Sequence, residues 1–407
     1  MCGTEKLSAN KPALDKCSLP SDNDSKEHNH LISSDTLIIN LDHGDPTVYE
    51  SFWSKMGEKC TLVIKGNDLM SYMSDMSRLC WFLEPELEEA IKSLHRVVGN
   101  AVVEDRYVVV GTGSTQLYQA VLYALTAPGG GDPVKVVCAA PYYSQYQAET
   151  DLLCSGLFKW GGDASAYDKD GAYIEVVTSP NNPDGHIREA VVKSRRGEGK
   201  VLYDLAYYWP QYTPITRPAD FDIMYFTFSK STGHAGSRIG WALVKDEEIA
   251  RKMTRFIELS SIGVSKDSQI RAAKIMGTIC DNYQDFESGN SESFFEFAHQ
   301  LMAKRWKSLR EVVEGSEAFS LPKYPKEYCL FHGEYTEAYP AYAWLKSSEG
   351  IEDCEKYLRE HCKIVGRSGR RFGADPSFVR VSMLSREEAF EQFLKRLLSI
   401  KGIKNQN

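Results

Sequence analysis

The sequence predicts an α/β protein: a mostly parallel sheet covered by helices, with a smaller α+β domain built mainly from the C-terminal third. Three observations carry that class. Between residues 100 and 246, six short apolar runs alternate with helix-like segments, and continuous apolar strands interleaved with helices mark a parallel sheet buried on both faces. Beyond residue 247 the pattern shifts to long amphipathic stretches of helical period. A chain of 407 residues, 42% hydrophobic and 26% charged, can bury a large core and divide it between lobes.

In chain order, residues 1–36 are polar and poor in large apolar groups, so they are expected to be a disordered tail; the sequon at Asn23 within them reads as a chance match. Residues 37–75 are expected to complete the smaller domain, and residues 76–279 to form the large one. Its strands are YVVV (107–110), VKVVCAA (134–140), YIEVVTSP (173–180), KVLYDLAY (200–207), IMYFTFSK (223–230) and GWALVKD (240–246). A helix over 114–125 opens directly after the first strand, with Ser114 and Thr115 as capping residues. Loops are expected at PGGGDP (128–133) and SGNSE (288–292). Helices follow over 247–259, 266–279 and 292–313, then short strands at 338–346 and 378–385 and a last helix over 386–401. Residues 280–407 are read as the small C-terminal domain.

A formal net charge of −8 argues against a nucleic-acid partner. No segment is apolar enough for a secretory signal or a membrane span. The ten cysteines show no CxxC pair or repeated spacing, which indicates neither a metal site nor a disulfide framework. The expected setting is the cytoplasm.

Five pieces of chemistry occur in order. GTGSTQ (111–116) leaves a strand and opens a helix, an arrangement that presents backbone N–H groups to an anion, although it lacks the Gly-Lys of a nucleotide loop. SPNNPDG (179–185) is a turn carrying Asn182. Asp204 and Tyr207 stand near the carboxyl end of a strand, and a carboxylate in so apolar a run requires donors. Lys230 and then Arg238 follow the next strand. In an open α/β sheet all of these lie where ligands bind. A ligand needing an anion clamp, a carboxylate and a covalent lysine is pyridoxal 5′-phosphate.

TFSKSTGHAGSRIG (227–240) resembles the lysine signature of class I pyridoxal-phosphate aminotransferases, with Thr227 where glycine or serine is usual and His234 where an apolar residue is usual. NLDHGDPT, LMSYMSD, CWFLEPELE, EDRYVVVGTGSTQL, VTSPNNPDG, AYYWPQYTPIT and VRVSMLSRE together resemble the plant tryptophan aminotransferases of the alliinase-related group, from about residue 38 to the last helix. That resemblance implies the fold-type I architecture with a seven-stranded sheet. It implies that Lys230 holds the cofactor covalently and moves the substrate's α-proton, that Asp204 keeps the ring nitrogen protonated, and that Tyr207, with Asn182 beside it, donates to the phenolic oxygen. Ser114, Thr115, Thr227, Phe228, Ser229 and Arg238 would surround the phosphate. Tyr143, or its neighbour Tyr142, would cover the ring. Tyr72 would reach the phosphate of a second subunit, making the site complete only in a homodimer. Arg380 would fork onto the substrate α-carboxylate, and Gly44 would sit in a loop closing over substrate. His43 and His234 read as structural.

The reaction implied is transfer of the amino group of L-tryptophan to a 2-oxo acid such as pyruvate, giving indole-3-pyruvate for auxin synthesis. A C–S lyase of the alliinase type, an aminotransferase for other aromatic amino acids or methionine, and a non-catalytic relative remain as alternatives.

Overall fold

The computed structural model describes residues 37–126, 131–193, 199–287 and 293–400, with the side chains of 284–287 excepted. The expected tail (1–36), the loop at 288–292 and part of the loop at 128–133 lie outside the described residues.

Seven strands form the main sheet: β1 Tyr107–Gly111, β2 Val134–Cys138, β3 Phe158–Asp163, β4 Tyr173–Thr178, β5 Gly199–Asp204, β6 Ile223–Thr227 and β7 Gly240–Val244. They lie in the order β1-β7-β6-β5-β4-β2-β3. Strand β7 runs antiparallel to both its neighbours and every other pairing is parallel. The predicted class is therefore the observed one. Strands β4, β6 and β7 are buried at every position, as their apolar runs require of a sheet covered on both faces. Glu175 within β4 is tolerated because its carboxylate accepts the N–H groups of Val191 (2.6 Å) and Val192 (3.1 Å).

Strand β3 was not legible in the sequence. Its segment, FKWGGD, carries two glycines and sits at the sheet edge. The register slips between Val136 and Val137, with Val136 opposite Trp160 and Val137 opposite Gly162, so a bulge interrupts the alternation a strand would show. Strand ends also differ from the sequence reading, β2 stopping at Cys138 and β7 at Val244, each two residues short of the expected end. Strands β4, β5 and β6 stop at Thr178, Asp204 and Thr227, and the residues after them turn into the site.

Helices α1 Pro85–Val98, α2 Gly113–Ala124, α3 Tyr146–Asp151, α4 Glu247–Ser261 and α5 Lys266–Glu287 follow or flank the sheet. Their ends follow ordinary capping chemistry: proline opens α1 and left-handed Gly99 closes it, and the Asp246 side chain accepts Ile249 N at 2.8 Å at the start of α4.

A second, antiparallel sheet contains β8 Phe319–Ser320, β9 Tyr342–Ser347, β10 Arg367–Ser368 and β11 Phe378–Ser382, in the order β10-β11-β9-β8. Helices α6 Phe294–Ser316, α7 Cys354–Cys362 and α8 Glu387–Leu398 belong to the same part of the chain. The N-terminal segment is tied there too: Ile39–Asn40 pairs in parallel with Ile364–Val365, and Leu41 O accepts Ser382 N at 2.9 Å. Residues 42–44 are thereby carried to the mouth of the site. Among the described residues no helix is long and apolar enough to cross a membrane.

Candidate active site

A cavity of about 200 Å³ opens at the carboxyl ends of the parallel strands. Register explains its floor, since Thr178 lies opposite Asp204 and Asp204 opposite Tyr225. Three neighbouring strands thus end at one place.

One end of the cavity is a cup for an anion, lined by Ser114, Thr115, Thr227, Ser229 and Arg238. Ser114 and Thr115 do not cap α2 as the sequence reading expected. Thr112 holds the N-cap position without a side-chain bond, and the two hydroxyl residues in the first turn line the cavity beside the helix's N–H groups. Gly113 has φ of 73°, and a Cβ there would run into Arg238 Nη2, so glycine lets the guanidinium close against the helix start. Arg238 adopts the left-handed conformation at φ 52° and donates from Nη1 to Ala235 O at 3.1 Å.

Asp204 lines the same cavity and is buried. Its Oδ2 accepts from Tyr146 Oη (2.7 Å) and Tyr225 Oη (3.0 Å), and its Oδ1 from Ala206 N (3.0 Å). Burial pushes the carboxyl up and these donors only partly offset it. A buried carboxylate held by neutral donors attracts a cationic N–H partner from the cavity. Glu149, from α3, lines the same space; burial, and secondarily the Asp204 charge, push it up to about 7.

Lys230 does not stand at a strand end. Thr227 breaks β6 and caps a single helical turn, Phe228–Ser231, by accepting Ser229 N at 3.3 Å, and the turn aims the lysine into the cavity. Its carbonyl is fixed by Tyr212 Oη (3.2 Å) and Gln211 Nε2 (3.3 Å). Its Nζ donates to Gly44 O. Tyr207 Oη lies 3.4 Å from Asn182 Nδ2 and 3.1 Å from Tyr342 Oη.

Arg380, in the middle of β11, is 2% exposed. It donates to Asn182 Oδ1 (3.0 Å) and Asp42 O (2.6 Å), and its guanidinium lies over the Tyr342 ring at 4.0 Å. Its buried Nε has no partner. Beside it, Arg367 grips the Asp42 carboxylate through Nε (2.5 Å) and Nη2 (2.9 Å), holding that carboxyl below its usual range despite its burial.

The sequence-predicted residues Ser114, Thr115, Tyr143, Asn182, Asp204, Tyr207, Thr227, Ser229, Lys230 and Arg238 all line the one cavity, and Gly44 and Arg380 adjoin it. Tyr142 instead packs edge-on against Trp160 at 5.1 Å. Phe228 points into the core, its ring stacked on His234 at 5.2 Å. Tyr72 is 58% exposed and packs on Trp81, away from this cavity. Sequence reasoning missed Tyr146, Glu149, Tyr225 and Tyr342. Tyr146 and Tyr225 had a signal, because a buried carboxylate implies donors, but nothing in the sequence said which strand or helix supplies them.

A family model described as Allinase matches residues 39–401. The chain belongs to the allinase family. Within its relatives, Tryptophan aminotransferase-related protein 2 of Arabidopsis thaliana is 55% identical over 374 residues, spanning 91% of this chain and 83% of that protein. Alliin lyase of Allium cepa var. aggregatum is 36% identical over 360 residues, spanning 86% of this chain and 79% of the relative. Among solved structures, an aminotransferase from Staphylococcus aureus aligns with a TM-score of 0.62 over 89% of this chain and 93% of its own, at 18% identity. That likeness gives this allinase-family chain the fold-type I architecture.

Proposed function

We propose that the protein is a pyridoxal-phosphate-dependent aminotransferase that takes the amino group of L-tryptophan and passes it to a 2-oxo acid such as pyruvate, yielding indole-3-pyruvate and L-alanine. This is the first step of the indole-3-pyruvate route to auxin. The observation that carries the reading is the sharing of one cavity by Lys230, Asp204 and the Arg238 cup. The donor set fits the group: hydroxyls, a helix start and a guanidinium for a phosphate, a buried carboxylate short of a cation for a ring nitrogen, and an amine in the same cavity.

Bound there, pyridoxal phosphate supplies an electron-withdrawing ring that makes the α-hydrogen of an amino acid acidic. The chain's residues do the rest. Ser114, Thr115, Thr227, Ser229 and Arg238 hold the phosphate, the backbone at Phe228 bringing the last turn into place. Asp204 keeps the ring nitrogen protonated, Tyr207 and Asn182 hold the phenolic oxygen, and Tyr143 covers the ring. Lys230 holds the cofactor covalently and then carries the α-proton at Nζ. Arg380 takes the α-carboxylate, for which its unpartnered Nε is a free donor. A Cβ at Gly44 would run into Tyr342 Oη and come within 3.1 Å of Lys230 Nζ; only glycine fits where that loop meets the amine.

The second subunit belongs to this proposal. Leu62, Val63, Ile64, Met70, Tyr72, Met73 and Met76 are all exposed in one segment, a density of large apolar groups that suits burial against another copy. In that dimer Tyr72 of each subunit would reach the partner's phosphate. The division into residues 37–75 with 280–407 as a small domain and 76–279 as a large one, with α5 crossing the second boundary, is proposed on the two sheets. The cytoplasm is proposed as the setting, in keeping with the eight free thiols among the described residues.

A C–S lyase is the competing reading, favoured by the 36% identity to an alliin lyase. The experiment is direct. The loaded enzyme is mixed with tryptophan and pyruvate, and separately with an S-alkyl cysteine sulfoxide. Indole-3-pyruvate in the first mixture supports amino transfer; pyruvate release confined to the second overturns it. A panel of phenylalanine, tyrosine and methionine donors sets the side-chain range.

A further inference from the structure

Arg367 opens strand β10 directly opposite Arg380 of β11, and residues paired in that way project from the same face of a sheet. One residue holds both. Asp42 accepts Arg380 Nη2 on its backbone oxygen at 2.6 Å and grips Arg367 through its carboxylate, Oδ1 to Nε at 2.5 Å and Oδ2 to Nη2 at 2.9 Å. Ser144 Oγ, next in the chain to Tyr143, accepts from the remaining nitrogen, Arg367 Nη1, at 2.8 Å. All three nitrogens of that guanidinium are engaged. The oxygens that hold Arg380, from Asn182 and the Asp42 backbone, are neutral by contrast.

The Asp42–Arg367 pair also walls a second cavity, of about 320 Å³, together with Ser144, Gln145, Glu355 and Arg371. It adjoins the first at consecutive residues, Tyr143 lining one and Ser144 the other. The positive charge of Arg367 is felt by both Tyr143 and Tyr342, so the pair belongs to the surroundings of a substrate held on Arg380. Burial raises the Asp42 carboxyl, but Arg367, Arg380 and His43 more than offset it and keep it ionised. The pair is thus neutral as a unit. Arg371, the other cation lining the second cavity, is exposed, and water and salt screen it. A second carboxylate arriving there has room but meets a cation already matched and the Asp42 charge beside it.

We propose that Asp42 is a specificity-determining residue of this site: by neutralising Arg367 next to the arginine that takes the α-carboxylate, it discriminates against substrates with a second carboxylate and favours monocarboxylic 2-oxo acids as acceptors. It does so by withholding the cation that a dicarboxylic oxo acid such as 2-oxoglutarate requires and by setting a like charge against it. The role deepens the amino-transfer reading and rests on Arg380 as the carboxylate clamp.

The test compares the loaded wild type with Asp42→Ala, which keeps the backbone oxygen held by Arg380, and with Asp42→Ala combined with Arg367→Gln. Calorimetric titration with glutarate and with butyrate reads the preference for a second carboxylate without any turnover. That preference is expected to stay below about threefold in the wild type, to rise about tenfold or more in Asp42→Ala, and to fall back in the double variant. With tryptophan as donor, the kcat/KM ratio of 2-oxoglutarate to pyruvate is expected to rise and fall in the same way. A wild type that already prefers glutarate by about tenfold, an unchanged preference in Asp42→Ala, or a gain that survives the loss of Arg367 overturns the proposal; the first of these needs no variant to fold. A wild type that makes no oxo acid from any amino donor overturns the amino-transfer reading instead, and the glutarate titration then still decides whether Asp42 masks Arg367.

Discussion

Asp204 illustrates how one residue's chemistry is decided by its neighbours. Two tyrosine hydroxyls and a backbone N–H hold its buried carboxylate, so replacing it by asparagine removes a charge while keeping the shape. On the proposed function, Asp204→Asn lowers kcat/KM by about a hundredfold or more, measured with tryptophan and pyruvate, without displacing Tyr146 or Tyr225. Glu149 makes a prediction of opposite kind. Its folded form holds a proton up to about 7, through burial and the Asp204 charge, whereas an unfolded glutamate releases it at about 4.3. The raised value means that stability is fullest below the unfolded pKa and is lost as pH rises through the folded one. Glu149→Gln is therefore expected to raise the melting temperature relative to wild type at pH 8 and to leave it little changed at pH 4; the reverse order would contradict that assignment. Lys230 and Asp204 were legible in the sequence because each is chemically out of place in an apolar run. Tyr342 was not, for a tyrosine at the start of an apolar strand is indistinguishable from core until Arg380 is seen over its ring.

At the scale of elements, the site depends on strands stopping where they do. Thr227 is the clearest case: the sequence reads IMYFTFSK as one strand, and the structure ends it by a side-chain cap that turns Lys230 inward. Local capping beat strand propensity there, a competition that period alone does not resolve. Edge strand β3 escaped notice for the complementary reason, its bulge and glycines erasing the alternation. The segment after β11 is secured from another element. Arg305 of α6, itself 2% exposed, donates to Met383 O (2.9 Å) and Ser385 O (2.7 Å) and pairs with Glu387 (2.5 Å). Arg305→Met keeps the stem and orphans those carbonyls, and it is expected to cost about 1–3 kcal/mol, read as a lower urea midpoint. An unchanged midpoint would show that water replaces the guanidinium.

For the whole molecule, two sheets and an N-terminal segment converge on one cavity. The order of motifs in the sequence announced most of that convergence, because strand carboxyl ends in an α/β sheet share a side. What the order could not give was the contribution of the second sheet beyond Arg380, or the partner of the exposed 62–76 segment. If that segment is the subunit interface, Met70→Asp combined with Met76→Asp gives monomers in sedimentation analysis and weaker cofactor retention; dimers that persist would place the interface elsewhere. Everything proposed for the reaction requires that the amine of Lys230 be the atom joined to the cofactor. Protein loaded with pyridoxal phosphate and reduced with borohydride, then mapped by peptide mass spectrometry, tests this most directly. The account predicts a pyridoxyl group on Lys230; a label on another lysine, or none, would contradict it.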